Sequence, residues 1–126
     1  MKKISGKLFE VSCKYLDIET EKSKSHKFVV KAVNFTDAEK KAYDELDGCA
    51  GIEIVNINPS SCHMAVSDET KGGEFWYKVK SQLIDEKETF FVQADDIDKA
   101  KALAKEYGPE DVILSIQDTK FEDVYE

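Results

Sequence analysis

The chain has 126 residues, 41% hydrophobic and 35% charged. That balance suits one compact domain with a modest core and excludes a two-domain enzyme. Eighteen lysines and no arginine stand against 26 acidic residues, a net charge of -8. This charge opposes DNA, RNA and anionic membranes as default partners, and the missing guanidinium removes bidentate phosphate or carboxylate forks and any arginine finger.

The charge is unevenly distributed. Residues 1–33 hold eight lysines and four acids, residues 34–126 ten lysines and 22 acids, so a phosphate-facing surface is expected toward the N-terminal end. Met1 to Phe9 include three lysines but no apolar run fit for a signal peptide, and no later run approaches a membrane span. Cys13, Cys49 and Cys62 are an odd number without CxxC spacing, which predicts reduced thiols and a cytoplasmic protein.

In chain order, apolar alternation predicts strands at about Leu8–Leu16, Lys27–Val33, Ile52–Asn58, Trp76–Ile84, Thr89–Ala94 and Val112–Gln117. A helix over about Asp37–Leu46 is expected, with Thr36 as N-cap and Glu39 completing a capping box. A second spans about Lys99–Tyr107, capped by Asp98 and stopped at Gly108-Pro109. Alanines four apart, Ala38/Ala42 and Ala100/Ala104, begin each apolar stripe, and Tyr43, Leu46, Leu103 and Tyr107 widen it. Pro59-Ser60-Ser61 and Thr119–Tyr125 follow the third strand of each series, and each leads into a fourth, shorter strand.

The two series align. Phe9, Val11, Cys13 and Tyr15 match Tyr77, Val79, Ser81 and Leu83 at a shift of 68, Val30 and Ala38 match Val92 and Ala100 at 62, and Ile54, Val55 and Ile57 match Ile113, Leu114 and Ile116 at 59. The shift changes only between elements, where loops tolerate length change. The expected fold is therefore α+β: a tandem duplication of a β-β-α-β unit, two helices packed on antiparallel-dominated sheet. Residues 1–126 are read as a single domain, with pseudo-repeats at about 7–66 and 74–126.

Chemistry-bearing residues are few. Adjacent strand residues such as Cys62 and His63 point to opposite faces and cannot close on one ion, so no metal and no cofactor are expected. Cys62 with His26 is the one nucleophile-and-base pairing to weigh, but no nucleophile elbow, P-loop or carboxylate pair accompanies it, and His26 falls in Glu19–Lys27, a long polar hairpin loop. No catalytic residue is assigned. Asp95, Asp96 and Asp98 precede the second helix, where capping accounts for at least one of them; the alternative, a calcium site, lacks EF-hand spacing and a loop glycine. The sharpest local feature is Phe75-Trp76-Tyr77-Lys78-Val79-Lys80. Alternation turns Tyr77 and Val79 inward and leaves Trp76, Lys78 and Lys80 on the other face, where they either bind a ligand or partner or, for Trp76, cover the sheet.

Phe9-Glu10-Val11, Asn34 to Glu39, Trp76 to Lys80, Phe91 to Ala94 and Ile113 to Ile116 resemble the domain-of-unknown-function family 4494 over most of the chain from Leu8 to Tyr125. The resemblance implies a gut Bacteroidetes phage or mobile-element setting and brings no catalytic residues. The expected function is a non-enzymatic binding or accessory protein. A protein partner is met by an acidic surface able to imitate nucleic acid. The alternative is a nucleotide or single-strand nucleic-acid binder using Trp76, Lys78 and Lys80. No membrane partner is expected, and self-association is open to the exposed sheet edges.

Overall fold

The computed structural model describes residues 2–68 and 73–126. Its elements in chain order are β1 (Lys2–Ser5), β2 (Leu8–Asp17), β3 (Lys22–Lys31), α1 (Phe35–Glu45), β4 (Ala50–Pro59), β5 (Met64–Ser67), β6 (Phe75–Leu83), β7 (Glu86–Ala94), α2 (Ile97–Tyr107), β8 (Val112–Asp118) and β9 (Val124–Tyr125). The protein is α+β, with two helices and two mixed sheets in which antiparallel pairing predominates.

The chain forms two compact units. One is built from Lys7–Ser60 and Phe121–Glu126. Its sheet has the order β4-β2-β3-β9, with β2 antiparallel to both β3 and β4. The strands present Phe9, Val11, Cys13, Phe28, Val30 and Ile57 to α1, whose Ala38 and Ala42 are fully buried. Methyl side chains let the helix approach closely, and Leu46 closes the end of this core.

The other unit contains Ser61–Lys120 and the N-terminal segment through Gly6. Its sheet runs β1-β5-β7-β6-β8, with β6 antiparallel to β7 and β8. Val66, Tyr77, Val79, Phe90 and Val92 pack under Ala100, Leu103 and Ala104 of α2. The shifts read from the sequence carry the register pairs Val11–Phe28 and Val11–Ile57 onto Val79–Phe90 and Val79–Ile116.

Several expectations need correction. The short strands after β4 and β8 exist, but each joins the sheet of the unit that did not supply its predecessor: β5 lies parallel to β7, and β9 parallel to β3. The pairing of β4 with β2 runs to Ser60, whose N–H donates to the Leu8 carbonyl at 2.8 Å, and β5 begins four residues later in the other sheet. A parallel neighbour requires a long crossover, which a return within one hairpin cannot provide. Strand β3 extends through the stretch read as a loop, so His26 is a strand residue opposite Cys13. Ile84 lies in the turn rather than at the end of β6.

The helix starts also move. Asn34, not Thr36, caps α1, its Oδ1 accepting from the Asp37 N–H at 2.9 Å. Asp96, not Asp98, caps α2, accepting from the Lys99 N–H at 2.8 Å. Both caps have extended backbone, which aims the side-chain oxygen at the first free amides. Asp98 sits in the first turn, where its charge still complements the helix dipole.

Candidate functional site

Strand β6 sets the first candidate face. Its alternation puts Tyr77, Val79 and Ser81 toward α2 and Trp76, Lys78, Lys80 and Gln82 away from it. Trp76 is only 3% exposed, so its ring offers no open surface for a base to stack on. Its indole Nε1 has no hydrogen-bond partner among the described residues. The structure thus separates the three residues singled out in the sequence: Trp76 is covered, whereas Lys78 is half-buried and Lys80 exposed.

Register supplies neighbours that the sequence did not single out. Thr89 and Ser115 flank Lys80 from β7 and β8, and Gln117 lies beside Lys78. With Ser61 these side chains line a depression of about 270 Å³. All six lining residues carry hydrogen-bond donors. The carboxylates of β7 and β8 are on the other face. Glu86, Glu88 and Asp118 are opposite Leu83, Ser81 and Tyr77, the helix-facing set, and Tyr107 of α2 donates to Glu88 at 3.1 Å. The signal that could have found this site was cross-strand pairing, which needs the register and not only the pattern within one strand.

A second candidate face lies in the other unit. Phe35, Glu39 and Tyr43 follow one another at successive turns of α1, and together with Ile54, Val55, Asn56 and Ile57 of β4 they line a shallow depression of about 320 Å³. Phe35, Tyr43 and Val55 are about half exposed, although Tyr43 was expected within the buried stripe. Strand β4 is the sheet's edge, so the helix flank overhangs it without a further strand to cover the rings. The Phe35 ring meets Phe9 edge-on, with centroids 6.4 Å apart, which anchors it in place.

The sulfur and imidazole groups are arranged structurally. Cys13 donates to the His26 carbonyl at 3.4 Å. Burial, aided by the nearby Cys49 thiol and Glu122 carboxylate, pushes the Cys13 thiol above its ordinary value. Nδ1 of His26 contacts a carboxylate oxygen of Glu122, and its ring lies against Phe28. Cys62 has no exposed surface, so a substrate does not reach it in this conformation. Among the described residues no group of three or more histidine, cysteine or acidic side chains converges to hold a metal. No helix of the described residues is long and apolar enough to cross a membrane. Asp95, the remaining member of the acidic run, lies 3.5 Å from Lys99 Nζ.

The fold is α+β, with one lined depression on the β6–β8 face and another on the α1–β4 face. Residues 7–126 match a family profile described as a domain of unknown function, DUF4494, and the chain belongs to that family. No curated protein and no solved structure matches it.

Proposed function

We propose that this protein is a non-enzymatic, protein-binding accessory module, with the α1–β4 face as its docking surface and a basic amphipathic segment of another protein as its partner. The observation that carries the reading is the pair of half-exposed aromatic rings, Phe35 and Tyr43, set beside Val55 on an edge strand. Aromatic anchors surrounded by polar groups are the usual centre of binding energy at protein interfaces. Glu39 lines the depression, and the segment 37–53 that forms this face carries Asp37, Glu39, Asp44, Glu45, Asp47 and Glu53 against Lys40 and Lys41. The whole unit holds eight lysines against 13 carboxylates, which favours a basic partner.

Imitation of nucleic acid toward a basic protein groove is the sharper form of this reading. A phage or mobile-element setting, as the family resemblance implies, and a cytoplasmic location, as the odd number of cysteines without CxxC spacing suggests, belong to the same proposal. The stacking part of the nucleic-acid alternative is disfavoured by the burial of Trp76.

The test is anisotropy of a labelled lysine- and leucine-rich amphipathic peptide titrated with the full chain. Binding that weakens steeply with salt, and that is lost in a Phe35→Ser/Tyr43→Ser variant with an unchanged melting temperature, supports the proposal. Binding indifferent to that variant or to salt, or no binding, overturns it.

A further inference from the structure

We propose that the outer face of β6, β7 and β8 holds a binding site for a tetrahedral oxyanion of the phosphate type, either free or as a monoester. Lys78 and Lys80 supply the charge, and Ser61, Thr89, Ser115 and Gln117 supply neutral donors. This site lies in a different unit from the α1–β4 face and does not depend on it.

Three observations converge. The first is charge segregation. In a protein with 26 acidic residues, the outward positions of these three strands carry Lys78, Lys80 and Lys87 and no carboxylate, because Glu86, Glu88 and Asp118 take the helix side. The second is the state of the lysines. Lys24, Lys41 and Lys99 lie within ion-pair distance of Asp17, Asp37 and Asp95, whereas Lys78 and Lys80 meet no carboxylate partner among the described residues. Two like charges held two residues apart on one strand repel each other, and a bound anion relieves that repulsion.

The third observation is the lining. Hydroxyls from three separate segments and one amide surround the ammonium groups in a depression of about 270 Å³. An ammonium binds phosphate as a point charge, while a planar carboxylate is best matched by a guanidinium fork, which this chain lacks. The donor set therefore favours a tetrahedral oxyanion with several acceptor oxygens. The site has no aromatic platform, since Trp76 is covered, and the net charge of -8 penalises a long polyanion more than a single phosphate group.

Calorimetric titration of the full chain at low ionic strength tests this, with inorganic phosphate, glycerol phosphate and oligothymidylate in separate arms. Saturable binding of either small ligand is expected, and the tighter one identifies the free or esterified source. A Lys78→Gln/Lys80→Gln variant with unchanged circular dichroism should bind it roughly ten-fold or more weakly. Lys87→Gln, outside the depression, should weaken binding far less than the double substitution does. Amide resonances of Lys80, Thr89 and Ser115 should shift during the titration.

The absence of saturable binding by both small ligands would overturn the site, as would binding that survives the double substitution. Oligothymidylate binding much more tightly, with a steep salt dependence, would also overturn it in favour of a nucleic-acid surface.

Discussion

Val55 and Leu114 hold the same place in their respective sheets: each is the unpaired residue of a β-bulge on an edge strand. Ser12 and Cys13 face Asn56 and Ile54, skipping Val55, and Lys80 and Ser81 face Ser115 and Ile113, skipping Leu114. The bulge answers a geometric problem. Ile54 and Ile57 are three residues apart, as are Ile113 and Ile116, and an unbroken strand would send the members of each pair to opposite faces. One extra residue restores both to the core. Because the two bulges fall at residues the sequence repeat aligns, they favour the proposal that the units descend from one copied module.

Deleting Val55 should therefore be far worse than truncating it. With the bulge gone, Ile52 and Ile54 turn away from α1 while Ile57 stays, and the lost burial costs about 2 kcal/mol or more. Val55→Ala, at an exposed position, should change stability by less than about 0.5 kcal/mol. Urea denaturation followed by far-ultraviolet circular dichroism separates the two. Equal midpoints would show that the bulge does not set the register.

The helix cap offers a second contrast. Asn34 Oδ1 holds the Asp37 N–H, while Asp37 Oδ2 accepts from the Val33 N–H at 3.0 Å, a reciprocal lock on the start of α1. Asn34→Ala should cost about 1 kcal/mol. Thr36→Ala, inside the first turn and exposed, should cost less than half of that, as read by thermal melts. A reversed order would restore the cap to Thr36.

What the sequence made legible follows from which patterns are local. Six strands and both helices were readable because Phe9-Val11-Cys13 and Tyr77-Val79 alternate, and Ala38/Ala42 and Ala100/Ala104 recur at helical spacing. β1 was missed because Lys2-Lys3-Ile4-Ser5 has one apolar residue and no alternation. The first half of β3 was missed because Lys22 to Ser25 are exposed on both faces, and they pair only because β2 continues alongside them. The donors around Lys78 and Lys80 come from β7, β8 and the segment after β4, so no local pattern gathers them. Burial of Trp76 and exposure of Phe35 likewise depend on what lies above and beside a strand or helix, which periodicity does not encode.

Ile84 should be replaceable at a gain. It occupies the two-residue connection between β6 and β7 with a φ of 56° and is 84% exposed. A β-branched side chain is strained there, whereas asparagine tolerates this conformation. Ile84→Asn should raise stability by roughly 0.5–1 kcal/mol, and Ile84→Val should give no gain. Matched melts of the two variants decide it; equal behaviour would mean that the turn stores no strain.

The thiols should react in order of exposure. Cys49 is exposed, while Cys13 and Cys62 are buried and Cys13 is further held in its protonated form. Because the thiolate is the reacting species, iodoacetamide near neutral pH should modify Cys49 first and leave the others until the chain opens. Peptide mass spectrometry after brief exposure gives the order. Preferential labelling of Cys62 would revive a reactive-cysteine role for it.

Alkaline pH should weaken the β6–β7 unit through Tyr107. Its hydroxyl donates to Glu88 at 3.1 Å, and burial, reinforced by that hydrogen bond, raises its ionisation above the ordinary tyrosine value. The folded protein therefore holds this proton more tightly than the unfolded chain does. The resulting stability is complete below the unfolded value, near pH 10, and is lost as pH rises through the folded one. Tyr107→Phe keeps the ring against Phe90 but removes the proton. It should be slightly less stable than the parent at neutral pH and lose less between about pH 9 and about pH 11. The two stability curves should therefore converge as the solution becomes more alkaline, in urea titrations read by circular dichroism. Curves that stay parallel over that range would mean that Tyr107 carries no part of the alkaline response.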